Sequence, residues 1–270
     1  MKVNSTLARL QSQVQGITLT PTDAIAMLQL CSYETVALGY STFCDLFNEV
    51  GLSQYNLSPS PLLTLHSQAD FLNYEYYYDL IFYYNNGPGS PVSAAQGKGY
   101  LDEYLARFTG VYPSPNSAVN ETFDNSSTYF PLDQSIYADA THEVVVLDVL
   151  TAFNLTALFA GPPLSLQGDR GENSFVASRL VPFGTHFATQ VLTCPSKNPT
   201  KQIRFVVNDA VVPIDKSHPG CPEDKDGLCS FENVVSVLQK RSEEIDFGYD
   251  CNVNYTAREG VDYNGRAPRM

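Results

Sequence analysis

The stretch that decides the fold is IYADATHEVVVLDVL, residues 136–150. Residues 136–140 have the composition of a short buried strand, and the apolar run 144–150 predicts the inner face of a helix. His142 and Glu143 would then lie where the strand leads into the helix. In open α/β sheets, ligands bind at the carboxyl ends of strands, and the free N–H groups of a helix N-terminus favour an anion.

An imidazole beside a carboxylic acid at such a place suits phosphate chemistry. His142 would bind phosphoryl oxygens, and Glu143 would protonate a leaving alcohol. A His-Glu pair at a strand end is more commonly a hydrogen-bonded structural pair. These two residues alone therefore leave both interpretations open.

The composition predicts a globular protein of one large or two ordinary domains. The chain has 270 residues, of which 43% are hydrophobic, and no run approaches the ~20 apolar residues of a membrane span. Its 16 Lys and Arg against 29 Asp and Glu give a net charge of −13. This charge disfavours nucleic acids and anionic membranes as partners, so neither is predicted.

Cysteines and glycosylation signals both indicate the secretory pathway. The chain has 6 cysteines, and Asn-x-Ser/Thr signals occur at Asn4, Asn56, Asn120, Asn125, Asn154 and Asn254. We therefore predict an extracellular or vacuolar protein. Residues 1–6 lack the apolar core of a signal peptide, so we expect the signal peptide and the true N-terminus to be missing from this sequence.

The N-terminal half is predicted to be mainly helical. Residues 1 to about 50 have helical spacing, with a capped helix from Ala24 to Leu30. The tyrosine-rich segment 74–84 is interpreted as a half-buried helix rather than a sugar-binding platform. Residues 111–130 are rich in Pro, Ser and Asn and predict an exposed linker, which we take as the main domain boundary.

The C-terminal half is predicted to mix helices with a hairpin. The apolar run 175–192 predicts a second helix, and residues 231–238 predict a last one. Residues 201–207 and 210–214 flank Asn208-Asp209 and predict two strands joined by a tight turn.

Two glycine-containing motifs are weak. Gly97-Lys98-Gly99, which we expect to open a helix over 100–108, lacks the first glycine and the Ser or Thr of a phosphate-binding loop. The loop 221–229 contains Asp-x-Asp-Gly but lacks the other ligands of a calcium loop. No metal and no cofactor are predicted.

Several segments, in order, resemble the fungal histidine acid phosphatases of the phytase type. They are MLQLCSYET (27–35), FCDLF (43–47), QGKGY (96–100) with LAR (105–107), YADATHE (137–143), VPF (181–183), and VNDAVVP (207–213) with GCP (220–222). The resemblance implies a phosphoglycerate-mutase-like fold, an α/β domain with a mainly helical domain inserted into it. It assigns residues 1–128 to the later part of the inserted domain and 129–270 to the C-terminal part of the α/β domain, whose sheet would be incomplete.

The resemblance also implies roles for the central pair. The family hydrolyses phosphate monoesters through a phosphohistidine, and His142 matches its phosphate-binding histidine. Glu143 takes the place of the aspartic acid that protonates the leaving alcohol. The family's nucleophile motif, Arg-His-Gly-x-Arg-x-Pro, is absent from these residues, because none of the 4 histidines follows an arginine. We expect a truncated chain that is inactive alone, with His142 facing the place of the missing nucleophile. The alternatives are a non-catalytic phosphate-binding homologue and a purely structural role for the pair.

Disulfides and substrate follow from the same resemblance. It implies the pairs Cys31–Cys44 and Cys221–Cys229, with the partners of Cys194 and Cys251 in an absent N-terminal region. Alternatively, Cys194 and Cys251 pair with each other. Some phytases carry a lysine pair where this chain has Ile81-Phe82, which favours a broad acid phosphatase. Lys98 could restore one charge near that site, so phytase is the alternative. The oligomeric state is not predicted.

Overall fold

The computed structural model describes residues 4–47, 61–114, 118–168 and 171–269. The helices are α1 (Asn4–Gln11), α2 (Pro21–Leu38), α3 (Thr42–Asp45), α4 (Pro61–Asn85), α5 (Ser93–Thr109), α6 (Glu121–Asp124), α7 (Glu143–Ala152), a 3-10 helix (Thr156–Phe159), α8 (Ala177–Leu180), α9 (Phe231–Glu244) and α10 (Phe247–Asn252). The strands are β1 (Phe187–Thr193), β2 (Lys201–Val207), β3 (Ala210–Val211) and β4 (Cys229–Ser230).

The chain divides into two compact units. The first comprises Met1–Tyr78 with Ser165–Arg170, and the second comprises Asp79–Leu164 with Gly171–Met270. This division by contacts differs from the predicted boundary at residue 128. The assignment of 1–128 and 129–270 to two parts of a larger fold stays a prediction.

In the first unit, a local signal sets the start of α2 as the sequence predicts. The Thr20 side chain accepts from the Asp23 backbone N–H, and the Asp23 carboxylate accepts from the Thr20 N–H, so the two residues form a capping box at α2. Helix α2 continues beyond the predicted end at Leu30 to Leu38, where Gly39 caps it with a φ of 81°. The predicted Cys31–Cys44 disulfide is present and ties α2 to α3.

The second unit is built on the contact between α5 and α7. Gly97 of α5 lies directly against α7, and a Cβ at this position would be 2.3 Å from the Asp148 carbonyl oxygen and 2.9 Å from the Ala152 Cβ. Only glycine permits this approach. The sequence predicted a helix that begins at Tyr100, whereas α5 begins at Ser93 and contains Gly97-Lys98-Gly99 in its interior.

The predicted hairpin is confirmed, although its second strand covers Ala210–Val211 rather than 210–214, and it belongs to a larger sheet. Within the described residues the sheet has four strands, with β2 pairing antiparallel to β1, β3 and β4. Asn208 and Asp209 both have positive φ, 48° and 67°, as the tight turn between β2 and β3 requires. Ile203, Phe205 and Val207 alternate on the buried face of β2.

Two sequence predictions in this unit are wrong. The segment 136–140 is not a strand but an exposed, irregular stretch, with Ile136 83% exposed and no strand paired to it in the ranges described above. The run 175–192 is not one helix. Helix α8 ends at Leu180, before Pro182 and Gly184, and β1 follows. Proline and a glycine at φ 70° end the helix, and the β-branched residues after them favour a strand.

The cysteines of this unit follow the resemblance in part. Cys221 and Cys229 form the second predicted disulfide. Cys194 and Cys251 are both free, so they do not pair with each other here. None of the helices in the described ranges has the length and apolar character that crossing a bilayer requires.

Candidate functional site

Helix α7 presents the predicted pair at its N-terminus. His142 is the N-cap residue, with an extended backbone at φ −89° and ψ 156°, and Glu143 is the first helical residue. The predicted helix start is therefore confirmed, although the prediction of a strand before it is wrong. Both side chains are exposed, and neither makes a hydrogen bond to another described residue. The pair is thus not a hydrogen-bonded structural pair within this part of the chain.

The interior of α7 carries a buried acid. Asp148 is 3% exposed and accepts hydrogen bonds from Asn86 Nδ2 to both carboxylate oxygens, at 3.3 and 3.2 Å. Burial raises the pKa of Asp148 to about 7, and the Asn86 hydrogen bond opposes that shift. Its protonation is therefore linked to the folding of the unit that positions His142.

Asp148→Asn is expected to stabilise the protein at neutral and basic pH. The folded carboxyl keeps its proton up to about pH 7, whereas the unfolded one loses it near 3.8. The unfolded state therefore binds fewer protons in this window, and stability falls as pH rises through it. Asparagine removes the penalty and should raise the free energy of unfolding by roughly 2–4 kcal/mol near pH 8.

Urea unfolding of both chains at about pH 5 and pH 8 measures this effect. The exposed Asp133→Asn is the matched control and should leave the pH dependence unchanged. An Asp148→Asn chain that loses as much stability between the two pH values as the unsubstituted chain would contradict the expectation.

The C-terminal end of α7 is held by a buried arginine. Arg241 of α9 donates from Nε to the Ala152 carbonyl at 3.2 Å and from Nη2 to the carbonyls of Thr151 and Asn264, at 3.3 and 2.9 Å. Burial lowers the pKa of Arg241 to about 10, which leaves it charged at neutral pH. A cation at this end also matches the partial negative charge of the last helical carbonyls.

The segment before α7 is held by a second arginine. Arg107 of α5 donates to both carboxylate oxygens of Asp139, from Nη1 at 2.6 Å and from Nη2 at 3.0 Å. Its guanidinium carbon lies 4.8 Å from the Tyr137 ring centroid and 5.3 Å from that of Phe130. Glu103 lies 3.9 Å from Nη2, and burial with the nearby Asp124 raises the pKa of Glu103 to about 7.

Lys98 is engaged in contacts within the fold. Its Nζ donates to the Ser242 hydroxyl at 2.6 Å, to the Ser242 carbonyl at 3.0 Å and to Asp102 at 3.3 Å. The side chain is 11% exposed. The interpretation of Lys98 as a charge near a phosphate site is therefore not supported by its position.

The other histidines differ in environment from His142. His218 is fully buried, bonded to the Ser217 hydroxyl at 2.9 Å and packed against Phe205, and burial lowers its pKa to about 4. His186 is exposed beside Asp209, at 3.3 Å from its carboxylate. The side chain of His66 lies outside the described residues. A substrate on the surface therefore reaches His142 and His186 but not His218.

Two clefts of the second unit lie away from the pair. One, of about 910 Å³, is lined by Thr151, Asn154 and a mixture of acids and lysines at the C-terminal end of α7. The other, of about 1100 Å³, is lined by residues of α5, which include Lys98 and Asp102, by segment 111–114, and by the end of α9 and the start of α10. Neither lining contains His142 or Glu143, whose side chains are exposed.

Asn154, one of the glycosylation signals, makes internal contacts beside the first cleft. Its Nδ2 donates to the Ser217 carbonyl at 3.4 Å, and its Oδ1 is buried without a hydrogen-bond partner among the described residues. By contrast, Asn120, Asn125 and Asn254 are exposed. The described part of the chain contains no group of three or more His, Cys, Asp or Glu side chains placed to hold a metal ion.

Comparison with known sequences adds a family. The profile described as "Histidine phosphatase superfamily (branch 2)" matches residues 2–208. Relatives named Phytase A include those of Emericella nidulans, 31% identical over 234 residues, and Aspergillus awamori, 29% identical over 239. Both alignments cover 85% of this chain, and they cover 46% and 45% of the relatives.

The Phytase A of Neurospora crassa gives a similar result, with 28% identity over 266 residues. That alignment covers 86% of this chain and 50% of the relative. The chain thus spans about half the length of the curated relatives it matches.

Sequence reasoning missed the side chains that hold the two ends of α7. Arg107 was noted only as part of a motif, and its partner Asp139 is 32 residues away. Arg241 lies 90 residues from the Thr151 carbonyl that it binds. An arginine among the other charged residues of an amphipathic helix does not stand out in the sequence, and the sequence does not identify its partner.

Proposed function

The chain belongs to the histidine phosphatase superfamily, branch 2, and on that premise we propose that it contributes half of a phosphate monoesterase site. The observation that carries the proposal is the exposed pair at the N-terminus of α7, with His142 as N-cap and Glu143 next to it. We assign residues 129–270 to the α/β part of the enzyme and 1–128 to its mainly helical part.

His142 would bind the phosphoryl group. The first turn of α7 leaves backbone N–H groups without helical acceptors, and these carry partial positive charge. A protonated imidazole beside them adds a full charge and a hydrogen-bond donor. An anion placed there is held by donors from both the side chain and the backbone.

Glu143 would act on the leaving group. A carboxylic acid next to the bound phosphate can donate its proton to the departing alkoxide as the P–O bond breaks. The family pattern has an aspartic acid here, so the extra methylene of Glu143 moves the acid by about one C–C bond length. Proton transfer depends on distance, and a glutamate therefore needs a slightly different approach of the ester.

The covalent step needs a nucleophile from elsewhere. In the proposed reaction an imidazole nitrogen attacks phosphorus, the alcohol leaves with the proton of Glu143, and water then hydrolyses the phosphohistidine. No histidine of these 270 residues follows an arginine, as the family's nucleophile motif requires. We therefore expect this chain alone to bind phosphate without turnover.

The substrate class follows from charge. The relatives are named for phytate, a polyanion, but Lys98 is engaged with Asp102 and Ser242, and the net charge is −13. These features favour a simple phosphate monoester over a polyphosphorylated ring. We further propose an extracellular or vacuolar location, which the disulfides Cys31–Cys44 and Cys221–Cys229 support.

His142→Ala is expected to weaken the binding of inorganic phosphate by about tenfold or more, because the main charge-assisted donor is lost. Calorimetric titration with inorganic phosphate at about pH 5 measures this. Glu143→Gln should bind phosphate at least as well as the unsubstituted chain, because it removes a nearby negative charge. Hydrolysis of p-nitrophenyl phosphate and of phytate should be absent in all three chains.

His186→Ala is the matched control, because His186 is also exposed but lies on the hairpin beside Asp209. It should bind phosphate as the unsubstituted chain does. Turnover by the unsubstituted chain that disappears in His142→Ala would place a nucleophile within these residues. Equal phosphate affinity in His142→Ala would refute the assignment of the site.

A further inference from the structure

The segment that delivers His142 has few contacts of its own. Residues 131–141 form neither helix nor strand, and most of them are exposed. Among the described residues, the tie within the segment is the Gln134 N–H, which donates to the Tyr137 hydroxyl at 3.1 Å. The direction in which the chain reaches α7 must therefore come from side-chain contacts to other elements.

Arg107 supplies a two-pronged contact of this kind from the last turns of α5, beside a side-chain hydrogen bond between Tyr100 of the same helix and Asp139. The two Nη atoms bind the two carboxylate oxygens of Asp139 in parallel, and the guanidinium packs over Tyr137 and Phe130. The side chain is 10% exposed, so the ion pair is shielded from water on the arginine side. A planar, two-pronged and stacked contact of this kind is specific to arginine.

Helix α5 thus contacts the chain both before and after His142. Gly97 fixes the body of α7 through its contact with Asp148 and Ala152, and Arg107 fixes the segment before α7 through Asp139. Asp139 precedes His142 by three residues. The N-cap residue therefore lies, along the chain, between two segments that each contact the same helix.

We propose that Arg107 is a positioning residue that, by binding Asp139 and covering Tyr137, sets the orientation of His142 at the start of α7. Arg107 does not touch the phosphate. Its consequence for phosphate affinity rests on the proposed function, whereas the contact itself does not. Asp139 is then the partner through which the guanidinium acts, and Tyr137 is the residue it keeps covered.

Arg107→Lys tests the proposal because it keeps the charge and removes the two-pronged contact. Chymotrypsin should cut after Tyr137 about tenfold faster in this variant, since the ring is released from the guanidinium. Phosphate affinity should fall about three- to tenfold, because the donor at His142 is less well oriented. The melting temperature should change by only about 3 °C or less.

Asp139→Asn is the second variant and should show the same two effects, because it weakens the contact from the other side. Its side chain is 39% exposed, so the folded state tolerates the change. In the double variant the effects should not add, as expected for two residues that act through one contact. Arg204→Lys is the control, because Arg204 binds Gln190 on the sheet and should leave both measurements unchanged.

Cleavage after Tyr137 at the unsubstituted rate in both folded single variants would overturn the proposal. Additive effects in the double variant would do the same. If the unsubstituted chain binds no phosphate, the proposed function fails, but the cleavage rates still decide whether Arg107 holds the segment. Faster cleavage with unchanged phosphate affinity would limit Arg107 to a structural contact and would also overturn the positioning role.

Discussion

Gly97→Ala is expected to lower the free energy of unfolding by about 3 kcal/mol, although alanine is the better helix former by ~1 kcal/mol. The new methyl group would lie 2.3 Å from the Asp148 carbonyl oxygen and 2.6 Å from its carbon. These are backbone atoms inside a helix, so they cannot turn aside as a side chain would. Helices α5 and α7 must separate, and their buried contact loses its packing.

Gly99→Ala is the matched control in the same helix. Its added Cβ would meet the Ala118 carbonyl at 3.2 Å, a distance that a shift of a few tenths of an ångström relieves. The change should stay within about 1 kcal/mol of neutral, since the gain in helix propensity offsets the crowding. Urea unfolding of the two variants measures the difference, and equal stability would contradict the close helix contact.

Arg241→Met is expected to lower the free energy of unfolding by about 3 kcal/mol. Methionine fills much of the space but leaves the carbonyls of Ala152 and Asn264 without their donor in a buried site, whereas the Thr151 carbonyl keeps the Asn154 N–H at 3.0 Å. The last turn of α7 also loses a cation at its negative end. The variant should therefore melt at a lower temperature. Its phosphate binding should fall only by the fraction of molecules that are unfolded.

Arg266→Met is the comparison for this prediction. Arg266 is half-buried and pairs with Glu244 at 3.1 Å, and such pairs contribute at most ~1 kcal/mol. Thermal unfolding of both variants by circular dichroism separates the two cases. A loss in Arg241→Met no larger than that in Arg266→Met would show that the buried carbonyls find other donors.

The parts of the fold that local chemistry sets could be predicted from the sequence. The capping box at Thr20 and Asp23, the tight turn at Asn208 and Asp209 and the start of α7 at His142 each depend on neighbouring residues. The family resemblance added the partial phosphoglycerate-mutase-like α/β fold and both disulfides. Family membership and the two disulfides confirm these predictions.

The two wrong secondary-structure predictions concern segments whose structure is not decided by their local sequence pattern alone. Residues 136–140 have the composition of a strand, but a strand needs a neighbour to satisfy its backbone, and the sequence of one segment does not show whether a neighbour is present. The run 175–192 is apolar throughout, and this pattern does not separate a helix from a buried strand. Here Pro182 and Gly184 were the signals to weigh more heavily.

The candidate site was predictable only in its two central residues. Their location at a helix N-terminus followed from the apolar run after Glu143. The residues that hold them in place, Arg107 and Arg241, act across long sequence separations and through backbone carbonyls or a single carboxylate. Gly97 is the exception. A glycine inside a helix lowers the stability of that helix, so its presence indicates that another element packs closely against this position.

The internal contacts of Asn154 bear on when a sugar could be attached. The bond to a glycan forms at the side-chain nitrogen, and that atom faces the Ser217 carbonyl in the folded chain. Transfer at Asn154 would therefore have to precede the closure of this contact. Asn120, Asn125 and Asn254 remain accessible afterwards. A sugar on Asn154 would thus indicate that the transferase reached this side chain before its contact with Ser217 formed.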